Sequence, residues 1–266
     1  MERFLDGTLT SDYAPAAFFM HFGKDAKVGE GVVNSHLKYF VSTGMDFVKV
    51  QFEQGYGRTK IENPEDWQKI QPLPEDFFAP TLDVIRNIVD AMGHEAMVLP
   101  TIYSPFQMLV QTVGATTLME YAEKDPEQIT RAMNIFTDAL IGFSKDCNAL
   151  GVDGFYTPTQ GGEEKFYVVP GFFEKFVKPY DLKVMQECNK DTKCNILHIC
   201  DYEGTYDDLT RYADYPGQIV NTPNVVNGQP FTLQDGEKLF KRIVMGGLDR
   251  KQTINKGTPE EVRAEC

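Results

Sequence analysis

Residues 195–201 read Asn195-Ile196-Leu197-His198-Ile199-Cys200-Asp201. An apolar run this short, closed by the turn-forming residues 201–204, reads as a buried strand. Side chains alternate along a strand, so His198 and Cys200 point the same way. An imidazole and a thiol side by side at a strand end make half of a zinc site. The blander account is a core histidine beside an inert, buried cysteine. Which account holds depends on where the strand sits in the chain.

A helix precedes it at 170–188, with Phe173, Phe176, Val177, Tyr180 and Val184 as its buried face, and a short helix follows at 206–212. The same alternation runs through the whole sequence. Strands are expected at 14–22, 46–53, 95–102, 152–157, 195–201, 218–222 and 243–248. Helices are expected at 31–42, stopped by Gly44, at 81–92, followed by Gly93, and at 233–243. A longer helical region opens at Asp125-Pro126-Glu127, a cap with proline in the first turn, and a last helix opens at Thr258-Pro259. Residues 63–80, with four prolines and the only tryptophan, read as a loop with short turns.

Seven strand–helix units in strict alternation imply parallel strands with helices outside. No strand is followed by a Gly-x-Gly-x-x-Gly or a P-loop, so a (β/α) barrel is a better reading than a doubly wound sheet. The expectation is one α/β domain over residues 1–266, a (β/α)8 TIM-type barrel lacking its eighth strand–helix unit. The site of such a barrel lies where strands end. Those ends carry His21, Glu53, Tyr103, Gln160, His198 with Cys200, Asn221 and Asp249.

Composition agrees. The chain has 266 residues, 42% of them hydrophobic and 12% aromatic, enough for a large core. Its formal net charge of -13 disfavours nucleic acid and anionic membranes as partners. Five cysteines without framework spacing imply reduced thiols and a cytoplasmic protein. No signal-peptide pattern opens the chain, and no apolar run reaches the ~18 residues of a membrane helix.

Several stretches together resemble the uroporphyrinogen decarboxylase superfamily. They are Glu2-Arg3-Phe4-Leu5 with Pro15-Ala16-Ala17-Phe18-Phe19, Thr43-Gly44-Met45-Asp46-Phe47, and Glu174-Lys175-Phe176-Val177-Lys178-Pro179-Tyr180. The His198-Ile199-Cys200 strand and Gly246-Gly247-Leu248-Asp249-Arg250, followed by Gly257-Thr258-Pro259-Glu260-Glu261-Val262, complete the set. True decarboxylases of this superfamily resemble one another in an arginine-rich first strand end and an aspartate ending the second. Here those ends read Met20-His21-Phe22-Gly23-Lys24 and Glu53. Many substrate carboxylates need fixed cationic forks, so the chain is more similar to the corrinoid-linked methyltransferase branch, which includes methylcobalamin:coenzyme M methyltransferases.

That resemblance implies zinc held by His198, Cys200 and a distant cysteine, with the acceptor thiol presented to a methylcorrinoid on a partner carrier protein. The third ligand belongs on an eighth strand, after the Gly257–Glu261 stretch, and Cys266 falls too early to take the role. Glu53 or Glu163 is a candidate to complete the sphere. The expected function is a zinc-dependent transfer of a methyl group between a corrinoid carrier and a small thiol or folate acceptor. A decarboxylase acting on a porphyrinogen or other small carboxylate, and a catalytically inactive truncated barrel, are the alternatives. A homodimer is one way to cover unpaired sheet edges.

Among single residues, Glu53 reads equally as base, metal ligand or solvated loop residue. His21 reads as a catalytic acid or, more simply, as a hydrogen-bonded structural histidine. Tyr103, Gln160 and Asn221 are substrate-binding candidates, with packing the simpler use of Tyr103. His36 and His94 are expected to be structural or exposed, Asp249 to pair with Arg250, and Cys147, Cys188 and Cys194 to be inert.

Overall fold

A computed structural model of the chain describes residues 2–8, 13–23, 29–51, 54–93, 95–202, 204–248 and 252–266. Its main strands are β1 (Phe47–Val50), β2 (Met97–Pro100), β3 (Tyr156–Thr159), β4 (Ile196–Ile199), β5 (Ile219–Asn221) and, after a small hairpin of β6 (Val225–Val226) and β7 (Gln229–Pro230), β8 (Ile243–Met245). β1 pairs in parallel with β2, and β3, β4, β5 and β8 pair in parallel in that order. A parallel bridge from Thr101 to Tyr156 joins the two groups. Main-chain strands therefore follow one another in chain order, as right-handed strand–helix–strand units require.

The helices between them are α2 (Gly29–Thr43), α3 (Ala79–Met92), α4 (Pro105–Val113), α5 (Ala115–Lys124), α6 (Pro126–Ala149), α7 (Phe172–Phe176), α8 (Lys178–Cys188) and α9 (Leu233–Phe240). Three short helices, α1 (Glu2–Leu5), α10 (Thr253–Lys256) and α11 (Pro259–Glu265), lie near the ends of the chain. Among the described residues, no helix is long and apolar enough to cross a membrane.

The alternation of strand side chains sorts the sheet into two faces. Val48, Val50, Val98, Leu197, Ile199 and Val220 enter a large apolar cluster built with the helices. Phe47, Met97, Leu99, Tyr156, Ile196 and Ile219 form a second, smaller cluster on the other face, with Phe19, Ile243 and Met245 against it. The register stacks this inner face in layers: Tyr156, Ile196, Ile219 and Ile243 at one level, then Pro158, His198, Asn221 and Met245 one step nearer the strand ends.

Several expected elements change. Residues 14–22 form no ladder. They run extended beside β1, held by Asp46, whose amide donates to Ala16 O (3.0 Å) and whose carboxylate accepts from Ala16 N (2.6 Å) and the Tyr13 hydroxyl (2.8 Å). The fourth expected strand, 152–157, begins later, at Tyr156, because the preceding residues cross-link other segments. Asp153 accepts from Val98 N and bonds back to its carbonyl, and its own carbonyl accepts from Cys194 N. Gly154 meets Cys194 so closely that a Cβ there would lie 1.7 Å from the carbonyl oxygen.

The helix expected at 170–188 breaks at Val177 into α7 and α8, where Pro179 opens the second piece. The helix expected at 206–212 is only a 3-10 turn, Thr210–Tyr212, because Tyr206, Tyr212 and Tyr215 are all drawn into the core. On α2 the buried residues are Val32 and His36, while Val41 is 78% exposed. α4 was unexpected as a helix. Ser104 caps it by accepting from Gln107 N, and Gln107 reaches back to the Ser104 amide.

Candidate active site

β4 ends at the site. Leu197 and Ile199 are fully buried toward the helices, while His198 and Cys200 are half-buried on the inner face. Asn221 stands opposite His198 in the β4–β5 register. Its Nδ2 donates to the Met245 carbonyl at 2.8 Å, so its Oδ1 is the end that meets the imidazole, 2.6 Å from His198 Nδ1. An acceptor at that distance puts the hydrogen on Nδ1 and the lone pair on Nε2, the tautomer that suits a metal-binding histidine. The Tyr156 ring stacks on the imidazole at 5.2 Å and 29°, and its hydroxyl lies 3.5 Å from the same Asn221 oxygen.

Cys200 is fixed from two sides. Its amide donates to Thr159 O at 3.1 Å, and the Tyr206 hydroxyl donates to its carbonyl at 2.8 Å. The Gln160 amide nitrogen stands 3.7 Å from its sulfur. The structure thus brings Gln160, His198, Cys200 and Asn221 together.

Two other sequence candidates, Tyr103 and His21, stand apart from this group. Tyr103 packs half-buried against the helix-side cluster, and His21 is exposed on the extended segment. Glu53, Asp249, Arg250 and His94 lie outside the described residues. Glu163, considered as a third ligand, is buried elsewhere. It accepts from Gly161 N at 2.5 Å, and its Cβ and Cγ pack so tightly on Gly204 that an added Cβ would come within 2.7 Å. It ties the loop after β3 to the loop after β4. Among the described residues, no group of three histidine, cysteine, aspartate or glutamate side chains is arranged to hold a metal.

The sequence reading passed over Lys49. This half-buried lysine follows Phe47 on the inner face of β1, and its ammonium lies 4.6 Å from the Tyr156 ring centre and 5.0 Å from that of Phe19. It also donates to Gln51 Oε1. Gln51 is anchored in turn: its Nε2 donates to Met20 O (2.9 Å) and its amide to His36 Nε2 (2.9 Å), while His36 Nδ1 donates to Val32 O (2.8 Å). His36 is structural, as expected. A charged residue between Phe47 and Val50 was the available signal for Lys49.

Behind β3, on the helix side, Asp181 of α8 is wholly buried. Its Oδ2 accepts from the Thr159 hydroxyl (2.5 Å) and the Tyr215 hydroxyl (3.2 Å), while Oδ1 is buried with no hydrogen-bond partner among the described residues. Burial pushes its pKa up to about 7, against the lowering effect of the two hydroxyls. Cys147, Cys188 and Cys194 are buried free thiols, and burial raises all three, Cys194 to about 12. They are inert at neutral pH, as the sequence implied.

With this geometry in view, the comparison with known proteins is decisive for family. The uroporphyrinogen decarboxylase (URO-D) family model matches residues 41–266. The chain belongs to the uroporphyrinogen decarboxylase family. Within it, the chain is similar to proteins named as methylcobamide:CoM methyltransferases. It is 24% identical over 209 residues to the methylcobamide:CoM methyltransferase MtbA of Methanosarcina mazei, covering 77% of this chain and 58% of the relative. It is 23% identical over 208 residues to MtbA of Methanosarcina acetivorans, with 76% and 58% covered. This family member therefore spans under two thirds of the length of the curated relatives it matches.

Among solved structures, a methyltransferase from Methanosarcina mazei superposes with a TM-score of 0.77 at 16% identity, covering 99% of this chain and 86% of that one. A vitamin-B12 independent methionine synthase described as putative, from Listeria monocytogenes, reaches 0.56 at 13% identity, with 88% and 74% covered. At these identities the likeness speaks for the fold alone.

Proposed function

We propose that this chain carries the zinc-binding half-site of a corrinoid-pathway methyltransferase, moving a methyl group between a corrinoid on a carrier protein and a small thiol or folate acceptor in the cytoplasm. The observation that carries the reading is the His198–Asn221 pair, which leaves the lone pair on Nε2 of a histidine two residues from Cys200 along the same strand. The curated relatives, named as methylcobamide:CoM methyltransferases, make the same reaction class the natural one.

A nitrogen and a sulfur donor fit zinc, and His198 and Cys200 would hold it. When bound, zinc would favour the thiolate form of an acceptor thiol at neutral pH. The chain's own residues do the positioning. Asn221 fixes the histidine tautomer, Tyr156 holds the plane of the ring, Gln160 polarises the Cys200 sulfur, and Tyr206 pins the Cys200 carbonyl. Glu53 is our candidate for a further donor, and an unchanged zinc content in Glu53→Gln would remove it from that role. For the architecture we propose the family's (β/α) barrel, with the inner face of the sheet as its interior.

The test is methyl transfer from methylcobalamin to a small thiol, followed by the visible absorption of the corrinoid. Wild type should demethylate methylcobalamin, and Cys200→Ser should lose that activity while its circular dichroism spectrum and melting temperature stay the same. Equal rates in the two proteins would contradict the proposal. Decarboxylation of a porphyrinogen by the wild type, without methyl transfer, would favour the other branch.

A further inference from the structure

We infer that a cavity beside Arg211, on the helix side of the strand ends, is a second binding site, for a small monocarboxylate with a short apolar body. The cavity has a volume of about 210 Å³, and Tyr167, Pro170, Phe172, Phe173, Glu174 and Arg211 are among the residues that line it. None of Gln160, His198, Cys200 and Asn221 does. The site is therefore separate from the inner face, and its occupancy does not depend on methyl transfer.

Arg211 sets the chemistry. It sits in the 3-10 turn Thr210–Tyr212, beside the fully buried Tyr212, and Lys178 Nζ donates to its carbonyl at 3.2 Å. Its guanidinium carbon lies 4.8 Å from the Tyr167 ring centre and 5.2 Å from that of Phe173. The negative faces of those rings attract the cation without using its N–H donors. Among the described residues, no acceptor takes a hydrogen bond from this guanidinium and no carboxylate pairs with it. Two other half-buried arginines behave differently: Arg131 and Arg242 each donate to two backbone carbonyls. Arg211 is half-buried with its fork unspent.

The walls are set before any ligand arrives. Phe172 and Phe173 are buried, and Tyr167 is held by Asp207, which accepts from its hydroxyl. Gly162 lies so close to the turn that a Cβ there would come 2.2 Å from the Tyr212 hydroxyl and 3.2 Å from Arg211 Cδ. The loop after β3 and the turn after β4 are thus locked together around the cavity. A preformed site spends less free energy on ordering when it binds.

The lining selects the ligand. A guanidinium fork matches a carboxylate with two parallel hydrogen bonds. The rings and Pro170 suit an apolar body. Sites for drug-sized molecules run to roughly 300–1,000 Å³, so this one takes something smaller, with a body of a few carbons. Glu174, exposed on the lining, and Asp207, at the Tyr167 hydroxyl, add negative charge nearby. That charge disfavours a dianion such as phosphate and leaves a monoanion as the better fit.

Butyrate, titrated by calorimetry into the full chain, tests this, with neutral butyramide and inorganic phosphate as controls. One butyrate per chain should bind saturably, and its affinity should fall about tenfold or more in Arg211→Gln, the size expected for losing bonds to a charged group. Butyramide and phosphate should each bind wild type about tenfold or more weakly than butyrate does. Cys200→Ser and His198→Ala should bind butyrate as wild type does. Glu174→Gln, a change at an exposed position, should bind phosphate more tightly than wild type, and this reads the same site if Arg211→Gln melts early.

No saturable binding of butyrate, or equal affinity in wild type and Arg211→Gln, overturns the inference. Loss of butyrate binding in Cys200→Ser or His198→Ala overturns it too, because the carboxylate would then sit on the inner face. Phosphate binding to wild type as tightly as butyrate, or unchanged phosphate affinity in Glu174→Gln, overturns the choice of a monocarboxylate. Arg211-dependent butyrate binding in a protein that transfers no methyl group would uphold this site and remove the proposed reaction instead.

Discussion

β3 and β4 carry polar groups on both faces of the sheet, and the two sets differ. On the inner face, His198 and Cys200 are half-buried: His198 is oriented by Asn221, itself anchored on Met245 O, and the Gln160 amide approaches the Cys200 sulfur. On the helix face, Asp181 is sealed completely, with one oxygen bonded twice and the other to nothing described. On our proposal, the inner set presents its lone pairs to an arriving ligand. The outer set is closed, and its cost falls on the fold. Partial exposure with fixed orientation marks a working site, and full burial with an unmet acceptor marks a strained support.

The largest effect should come from the side of β4 that has no chemistry. Leu197→Ala removes a fully buried side chain from the helix-side cluster and should cost about 2–5 kcal/mol of unfolding free energy in a denaturant titration. It should leave the zinc affinity of the folded protein near wild type. If Leu197→Ala disturbed metal binding more than stability, the division of labour between the faces would be wrong.

Asp181 comes next, and its sign follows from burial. Its folded pKa, about 7, lies above the ordinary value of 3.8, so the folded state favours the protonated acid. That contribution to stability is complete below about pH 4 and is lost as pH rises through about 7. A displacement of this size is worth at most about 4 kcal/mol. Asp181→Asn, neutral throughout, should therefore gain in melting temperature relative to wild type between pH 4.5 and pH 8. Parallel pH profiles for the two proteins would show that the carboxyl is ionised without penalty.

A smaller effect is expected from Asn221→Ala. It frees the His198 ring from its tautomer and plane without removing a proposed ligand, and losses of this kind weaken metal binding by about 10–100-fold. Competition with a chromogenic chelator would read that change, and an unaltered affinity would mean that Asn221 acts elsewhere, for example on the substrate.

Much of this was legible before any coordinates. Strand alternation alone put His198 and Cys200 on one face, and strand exits picked out Gln160 and Asn221, because period-2 geometry is local. The partner of each was not legible. That Asn221 meets His198 depends on a β4–β5 register set by Ile196 and Ile219, which no local pattern encodes. Lys49 was missed because a lone lysine in Asp46-Phe47-Val48-Lys49-Val50 reads as a solvent-facing residue until the opposite face proves to be the helix side. Asp181 was hidden within an amphipathic helix pattern.

Two misses had signals in the sequence. Asn227-Gly228, both with positive φ of 50° and 66°, is the turn of the β6–β7 hairpin. Ser104-Pro105-Phe106-Gln107 is the capping box that opens α4. The first expected strand failed for a different reason. Its apolar residues are real, but Phe18 and Met20 remain 42% and 46% exposed, and the segment is held by the side chains of Met45, Asp46 and Gln51 rather than by a ladder.

The account turns on one cation being shared by two side chains on the inner face of β4. Zinc titration of wild type, His198→Ala and Cys200→Ser against a competing chelator measures that directly. One zinc per chain in wild type, with affinity lowered at least about tenfold in both variants at unchanged fold, is the predicted result. The same zinc affinity in all three proteins would contradict it.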